Sequence, residues 1–193
     1  MARHKEFDQD EALQKAMEVF WERGYEATSV QDLVEHTGIN RQSLYDTFVD
    51  KHSLFLRALD RYQEVETRKL LALIERPGSV KKALRQLFNG VIEGSFSDGH
   101  QRGCLMSNSM SELAGRCKAT ADRTIRNMRS VEDAFYRALL RGKKEGELKG
   151  VRDPRAMARF FCNSLMGLVL TAKAQKDRKA LEDVVKVTLS LLD

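Results

Sequence analysis

Residues 40 to 48 bring together side chains with closely spaced hydrogen-bond donors and acceptors. In the segment N-R-Q-S-L-Y-D-T-F, Leu44 and Phe48 stand four residues apart, so in a short helix both point inward. The opposite face is then polar and carries Arg41, Gln42, Ser43, Tyr45 and Thr47. The donor fork of Arg41 matches the edge of guanine, and the donor and acceptor of Gln42 match adenine. This pattern predicts a helix that enters a DNA major groove.

The preceding residues supply the signals that place such a helix. Ser29 followed three residues later by Asp32 is typical of a capping box, which begins a short helix. Gly38 suits the left-handed residue that ends it, and Asn40 suits the cap of the next helix. Two short helices joined by a tight glycine turn make a helix-turn-helix.

Around this motif the sequence resembles the TetR family of bacterial transcriptional regulators. The matching residues are Phe20, Gly24, Tyr25, Thr28, Ser29, Val30, Leu33, Gly38, Ile39, Ser43, Leu44, Tyr45, Phe48, Lys51, Leu54 and Phe55. The resemblance implies an all-α protein with a DNA-binding domain of three helices over residues 1–52. A helical ligand-binding and dimerisation domain over 53–193 would follow, and one long helix over about 51–75 would link the two.

The same resemblance implies a set of DNA-binding residues. Tyr45 and Lys51 would grip phosphates, while Thr28 and Ser29 would add contacts at a helix N-terminus. The full predicted set is Thr28, Ser29, Gln31, Asn40, Arg41, Gln42, Ser43, Tyr45, Thr47 and Lys51. A homodimer would present two such helices to a palindromic operator in double-stranded DNA.

Charge alone does not identify the DNA-binding part. The chain has a net charge of +5, but its first 51 residues contain six Lys or Arg against eleven Asp or Glu. We therefore expect the acidic side chains to face away from DNA and Arg3, Lys5, Arg41 and Lys51 to face phosphates. For the N-terminal arm around Arg3 and Lys5, the alternative is a frayed terminus.

Composition favours helices throughout. The 193 residues include only two prolines, and no apolar run is long enough to span a membrane. A signal-peptide pattern is also absent, so we expect a cytoplasmic protein.

In the predicted helix 120–145 the inward side chains are Ile125, Met128, Val131, Phe135 and Leu139. Its outer arginines indicate either a solvated face or a site for an acidic ligand.

The segment from Gly103 to Asn108, G-C-L-M-S-N, is similar to one that lies beside the inducer cavity in one branch of the TetR family. A small-molecule cavity is therefore predicted within residues 80–175. Its candidate lining consists of Phe88, Phe96, Met106, Met110, Met128, Phe135, Phe161 and Met166. For each of these residues the alternative is an ordinary place in the core.

Cys104 is a candidate redox residue. It follows a predicted loop near a helix N-terminus, with His100 and Arg102 close in sequence, and such surroundings favour the reactive thiolate. The alternative is a small buried side chain, which is also the expectation for Cys117 and Cys162. No spacing of ligands completes a metal site, and no cofactor motif or catalytic motif is present, so we expect no metal, no cofactor and no enzyme activity.

The last two predicted helices carry wide apolar faces, with Leu165, Val169 and Leu170 in one and Val184, Leu191 and Leu192 in the other. These faces exceed what one small domain buries, which predicts a homodimer through a four-helix bundle. The function expected from these patterns is that of a repressor released from its operator by a small-molecule inducer, and an electrophile or oxidant is one candidate class of inducer. The alternative is a helical adaptor that binds only protein.

Overall fold

The computed structural model describes residues 7–97 and 102–193, and every regular element in these ranges is a helix. The helices are α1 (Gln9–Arg23), α2 (Val30–Thr37), α3 (Arg41–Phe48), α4 (Lys51–Tyr62), α5 (Arg68–Glu75), α6 (Val80–Phe96), α7 (Leu105–Leu113), α8 (Lys118–Lys144), α9 (Pro154–Ala174) and α10 (Arg178–Ser190). The predicted all-α fold is confirmed. Arg3, Lys5 and His100 lie outside the described residues.

Side-chain caps begin the first four helices, and those of α2 and α3 are the two that the sequence predicts. Asp8, Ser29, Asn40 and Asp50 each accept a hydrogen bond from a backbone N–H group in the first turn of the helix that follows. Gly38 ends α2 with φ of 72°, a left-handed conformation that glycine adopts without steric cost. Local chemistry therefore sets the ends of the helix-turn-helix.

A first hydrophobic core joins α1 to the helix-turn-helix. Phe20 of α1 meets Phe55 of α4 edge to face, with ring centroids 5.2 Å apart. Leu33 of α2 and Leu44 of α3 are fully buried in the same cluster. This cluster also contains Leu105, Met106 and Leu113 from α7. The helix-turn-helix region is thus packed directly against a helix from the second half of the chain.

The long helix predicted over 51–75 is interrupted. Between α4 and α5, residues Gln63–Thr67 form a π-helical turn, in which the N–H of Arg68 donates to the carbonyl of Gln63 five residues earlier. Such a turn inserts an extra residue and shifts the faces of the two halves. As a result Thr67 points into the protein, where its hydroxyl donates to Asn127 Oδ1 at 2.8 Å.

A second hydrophobic core is formed by α5, α6, α8, α9 and α10. At its centre Phe161 stacks on Phe135 and meets the edge of Phe88, with both centroid distances 5.9 Å. The three rings are at most 1% exposed. Large apolar area removed from water makes this cluster the main source of stability in the second half of the chain.

One residue predicted to face this core is exposed instead. Ile125 is 38% exposed because the inner face of α8 runs through Thr124 and Asn127. Leu170, Val184 and Leu191, which the sequence assigns to wide apolar faces beyond the needs of one domain, lie at the surface.

Two arginines of α8 hold neighbouring helices together, which differs from both the solvated face and the acidic-ligand site considered from the sequence. Arg123 donates to both carboxylate oxygens of Asp60, at 2.9 and 3.0 Å. Arg141 donates to the backbone carbonyls of Glu75 and Arg76 at 3.0 and 2.9 Å. These bonds fasten α8 to the α4–α5 segment.

Candidate DNA-binding surface and ligand cavity

One face of α3 is buried and the other is open. Leu44 and Phe48 are 0% and 2% exposed, whereas Arg41, Gln42 and Tyr45 stand at the surface. The half-buried members of the predicted set on this helix are Ser43 and Thr47. The inward pair anchors the helix, so the polar face projects outward as the spacing predicts.

The surface around α3 contains acidic side chains that were not expected there. The Gln42 amide donates to Asp46 Oδ1 at 2.9 Å, and the Gln31 amide donates to Glu35 Oε1 at 2.9 Å. Both pairs are four residues apart on a helix, which brings the side chains together. The expectation that acidic side chains face away is therefore wrong at Asp46. A carboxylate here holds the Gln42 amide in one orientation and can itself accept from the amino group of cytosine.

A tight turn after α3 places Lys51. Val49 has φ of 70° and ψ of −60°, and the N–H of Asp50 donates to the carbonyl of Phe48 at 2.8 Å, which defines a classic γ-turn. The turn lets α4 begin immediately after α3. Lys51 then lies with its ammonium 4.3 Å from the ring centre of Tyr25, a cation–π contact that steadies a long side chain.

The predicted capping box of α2 is present. The N–H of Asp32 donates to Ser29 Oγ at 3.0 Å, and the N–H of Ser29 donates to Asp32 Oδ2 at 2.8 Å. Hydrogen bonds from the Ser29 side chain and backbone, followed by the Arg23 guanidinium, lower the pKa of Asp32 to about 2. Thr28 is only 1% exposed and its hydroxyl donates to the carbonyl of Gly24 at 2.6 Å. Its side chain holds the turn and does not face solvent, so only the backbone of Thr28 is left for the predicted DNA contact, which stays a prediction.

The turn between α1 and α2 is also held by a residue from α7. The carboxylate of Glu112 accepts from the backbone N–H of Tyr25 at 3.1 Å and from that of Glu26 at 2.7 Å. A Cβ at Gly24 would approach Glu112 Oε2 to 3.1 Å, so glycine leaves room for the carboxylate. This pair of bonds connects the helix-turn-helix to the rest of the molecule.

A cavity of about 470 Å³ lies where the two hydrophobic cores meet. Its walls come from α1, α4, the π-helical turn, α5, α6, α7, α8 and α9. The lining residues are Trp21, Tyr62, Glu66, Thr67, Leu70, Gly90, Val91, Gly94, Gly103, Cys104, Met106, Ser107, Met110, Thr124, Asn127, Met128, Val131, Cys162, Leu165, Met166 and Val169. This volume is in the range of pockets for small organic ligands.

The predicted lining separates by residue type. The four methionines Met106, Met110, Met128 and Met166 border the cavity. The four phenylalanines do not: Phe88, Phe135 and Phe161 pack against one another in the second core, and Phe96 lies under the guanidinium of Arg178 at 4.8 Å. The phenylalanines therefore pack with the core, which was the alternative to lining the cavity. Rigid rings fill the interior, while flexible thioethers border the irregular space.

Residues outside 80–175 complete the cavity, and the sequence interpretation missed them. Trp21 of α1 borders it and donates from its indole nitrogen to the carbonyl of Gly103 at 3.0 Å. Tyr62 stands edge to face with Trp21, with ring centroids 4.9 Å apart. Trp21 is the only tryptophan in the sequence and lies on the apolar stripe of α1, but no local pattern shows that it faces a cavity.

Few polar groups reach the cavity. The hydroxyl of Thr67 donates to Asn127 Oδ1, and no partner of the Asn127 amide nitrogen is found within the described ranges. Glu66 brings a carboxylate, which pairs with Lys69 at 2.9 Å. The chamber is therefore mainly apolar, with one neutral hydrogen-bonding pair on the π-helical turn and α8.

Two cysteines border the cavity in different surroundings. Cys104 is the N-cap of α7, is half-buried, and lies beside the hydroxyl of Tyr62. Burial, with Cys104 as a further cause, raises the pKa of Tyr62 well above its ordinary value. Cys162 is buried, and burial raises the pKa of its thiol to about 11. Cys162 is thus a buried side chain, as expected, whereas Cys104 is only half-buried.

Across residues 7–97 and 102–193, no group of three or more His, Cys, Asp or Glu side chains is placed to hold a metal ion. No helix in those ranges is both long and apolar enough to cross a bilayer.

Comparison with known proteins agrees with this arrangement. Residues 12–58 match the family model for bacterial regulatory proteins of the tetR family, and residues 80–188 match that for the tetracyclin repressor-like C-terminal domain. The chain is 42% identical over 194 residues to the HTH-type transcriptional regulator YezE of Bacillus subtilis (strain 168), covering 100% of each chain. It is 32% identical to the HTH-type transcriptional repressor ComR of Escherichia coli (strain K12), covering 98% of this chain and 90% of ComR.

A solved structure has the same fold. It is a cysteine mutant of the TetR family transcriptional regulator CifR in complex with 26-base-pair operator DNA. That chain superposes with a TM-score of 0.85 at 30% sequence identity, with 98% of each chain covered.

Proposed function

Because the chain belongs to the TetR family of bacterial transcriptional regulators, which bind DNA and catalyse no reaction, we propose that it is a ligand-released repressor. As a homodimer it binds a palindromic operator through residues 1–52. A small molecule in the cavity, which Trp21 of this region borders, releases it. Since a bacterial operator is chromosomal, the protein works in the cytoplasm.

The exposed polar face of α3 is the observation that carries this proposal. Arg41 and Gln42 present base-reading groups at the surface, and Tyr45 stands beside them on the same helix. Lys51, steadied by Tyr25, extends the contact to phosphate. Asn40, Ser43 and Thr47 flank these residues, and Ser29 and Gln31 are exposed at the start of α2.

A second copy of the chain fits the exposed apolar surface of α9 and α10. The large apolar side chains at the surface of these two helices are Phe160, Leu170, Val184, Val187 and Leu191. Single apolar residues at a surface are ordinary, but five on two adjacent helices at the end of the chain indicate an interface. Two helices from each copy would form a four-helix bundle.

The cavity indicates the kind of inducer. Methionines and apolar side chains favour an uncharged, polarisable molecule, and the Thr67–Asn127 pair offers it hydrogen bonds. Cys104 adds a nucleophile at the wall, so an electrophile or oxidant of this kind is the inducer class we favour.

Two contacts connect such a ligand to the DNA-binding surface. Trp21 borders the cavity and belongs to α1, so a ligand that pushes on the indole acts on the helix packed across α2 and α4. Glu112 follows Met106 and Met110 on α7 and holds the turn before α2. A ligand that prefers an altered position of these helices shifts the population away from the DNA-binding state, by at most its differential affinity for the two states.

The test is fluorescence anisotropy on a labelled duplex taken from upstream of the gene, titrated with salt. Operator binding predicts a nanomolar dissociation constant on this duplex, a steep loss of affinity with salt, and much weaker binding to a scrambled duplex. Equal, weak affinity for both duplexes at low salt would contradict the proposal and favour the protein-binding adaptor.

The role of Cys104 is tested separately. A Cys117→Ser background removes the other half-buried thiol. In this background a maleimide is expected to modify Cys104 and to release the operator, and Cys104→Ser is expected to abolish both effects. Modification of Cys104 with unchanged operator affinity would contradict its role as inducer site.

A further inference from the structure

A second group of side chains around a cysteine lies outside the cavity, where the start of α4 meets the start of α8. The group consists of Cys117, His52, Tyr25, Lys51 and Thr120. Cys117 was expected to be an inert core residue. The structure instead makes it the half-buried N-cap of α8, a helix of 27 residues.

The position of Cys117 favours a negative charge on its sulfur. Backbone N–H groups in the first turn of a long helix point toward the cap residue, and the helix dipole adds to their effect. The hydroxyl of Thr120 supplies the largest contribution, followed by the backbone N–H groups of Thr120 and Ala119 and by the charge of Arg123. Together they lower the pKa of the Cys117 thiol.

Two further observations fit a thiol that ionises at this place. The Cys117 sulfur lies 3.6 Å from Nε2 of His52, a group that can accept its proton. The hydroxyl of Thr120 is fully buried beside the Cys117 sulfur and has no hydrogen-bond acceptor of good geometry among the described residues. A buried hydroxyl without an acceptor is costly, and a thiolate at Cys117 would supply one.

We propose that Cys117 is a thiol-modification site for soft electrophiles of the α,β-unsaturated carbonyl class, paired with His52 and separate from the cavity. The Cys117 thiol gives its proton to Nε2 of His52. The sulfur lone pair then forms a bond to the β-carbon of the electrophile while the carbon–carbon π electrons move toward the carbonyl as an enolate. The enolate takes up a proton from the imidazolium or from water, so the net reaction is an addition without an oxidant or reductant.

The place of the adduct gives the modification a consequence for DNA. The ring of Tyr25 meets His52 edge to face with centroids 5.8 Å apart, and Lys51 lies on the same Tyr25 ring. An added group on Cys117 would crowd His52, and a shift of His52 would disturb the packing of the Tyr25 ring on which Lys51 lies. This consequence rests on the proposed operator binding, whereas the thiol reactivity does not.

The experiment uses N-ethylmaleimide on the full-length Cys104→Ser protein, with peptide mass mapping and operator anisotropy before and after treatment. We expect a single fast adduct on Cys117 and at least about a tenfold loss of operator affinity, each variant being compared with its own untreated sample. Adding Cys117→Ser, or Cys117→Ala as a second version, should remove both the adduct and the loss.

His52→Gln tests the proton acceptor and is expected to slow the reaction at Cys117 by about tenfold or more. An unchanged rate, or reaction of Cys117 no faster than that of a free cysteine, would overturn the proposed pair. A complete Cys117 adduct that leaves operator affinity unchanged would overturn the coupling to DNA. If the untreated protein binds no operator, the proposed function fails, while the mass mapping still decides whether Cys117 is the reactive thiol.

Discussion

The two regions proposed to act in regulation are assembled over different distances along the chain. The predicted DNA-binding residues lie between Thr28 and Lys51, and caps and turns within a few residues set their positions. The cavity collects side chains from Trp21 to Val169, and a local pattern indicates only the part of its wall within Gly103 to Asn108. A local motif is therefore readable from sequence, whereas a chamber between helices depends on how those helices pack.

The largest expected effect is on the free energy of unfolding, and it distinguishes a core residue from a cavity-wall residue in the second half of the chain. Phe135→Ala should lower the free energy of unfolding by about 3–5 kcal/mol, since it removes a fully buried ring from the Phe88–Phe161 cluster. Met128→Ala at the cavity wall should cost about 1–2 kcal/mol. Urea denaturation measures both, and equal losses would contradict the assignment of Phe135 to the core and Met128 to the wall.

The next effect tests the contact that joins the two regions. Glu112→Ala leaves the N–H groups of Tyr25 and Glu26 without their carboxylate and should cost about 2 kcal/mol of stability. Operator affinity should also fall, because the turn before α2 loosens. Ser111→Ala, at an exposed neighbouring position, is the control for α7 and should change neither quantity.

On the predicted DNA-binding surface, one substitution should lower affinity for all DNA and another should change the sequence preference. Tyr45→Ala should weaken binding to operator and random duplexes alike, by about tenfold, because a phosphate contact carries no sequence information. Gln42→Ala should change the preference at one base pair, by about 1–3 kcal/mol. Anisotropy on a panel of single-base operator variants measures both, and parallel losses for the two proteins would remove the base-reading role of Gln42.

The smallest effect concerns the capping box and depends on pH. The pKa of Asp32 is about 2 in the folded protein and below its ordinary value, so the carboxylate stabilises the fold above about pH 4. That contribution is lost as the pH falls from about 4 through 2. Asp32→Asn should flatten this part of the stability profile measured by thermal unfolding. A profile that keeps its slope in Asp32→Asn would show that another carboxylate is responsible.

Most of the fold was predictable because its helices begin and end with short-range hydrogen bonds. Ser29 and Asn40 each cap the helix that the sequence assigned to them, and Gly38 ends α2 as its residue type indicates. The π-helical turn between α4 and α5 was not predictable, since the one-residue shift that it introduces is too small to recognise in the apolar pattern of the sequence. The exposure of Ile125 was missed for a related reason: the inner face of α8 includes the polar Thr124 and Asn127.

The candidate sites also contain features that local sequence indicates and features that only packing sets. The outward face of α3 follows from the four-residue spacing of Leu44 and Phe48, and the methionines of the cavity were named from sequence. Whether a phenylalanine borders the cavity or fills the core depends on neighbours more than 20 residues away, as for Phe88, Phe135 and Phe161. The domain boundary at residue 52 and the roles of the DNA-binding residues stay predictions.

By itself, the sequence determined the family, the all-α class and the ends of the first helices, since backbone caps and turns act over three or four residues. Only the tertiary structure decided that Trp21 borders the cavity, that Glu112 holds the turn before α2, and that Cys117 lies beside His52. These contacts join residues 65 to 87 positions apart, or helices distant in sequence. Packing of apolar faces creates them, and no local pattern records which face meets which.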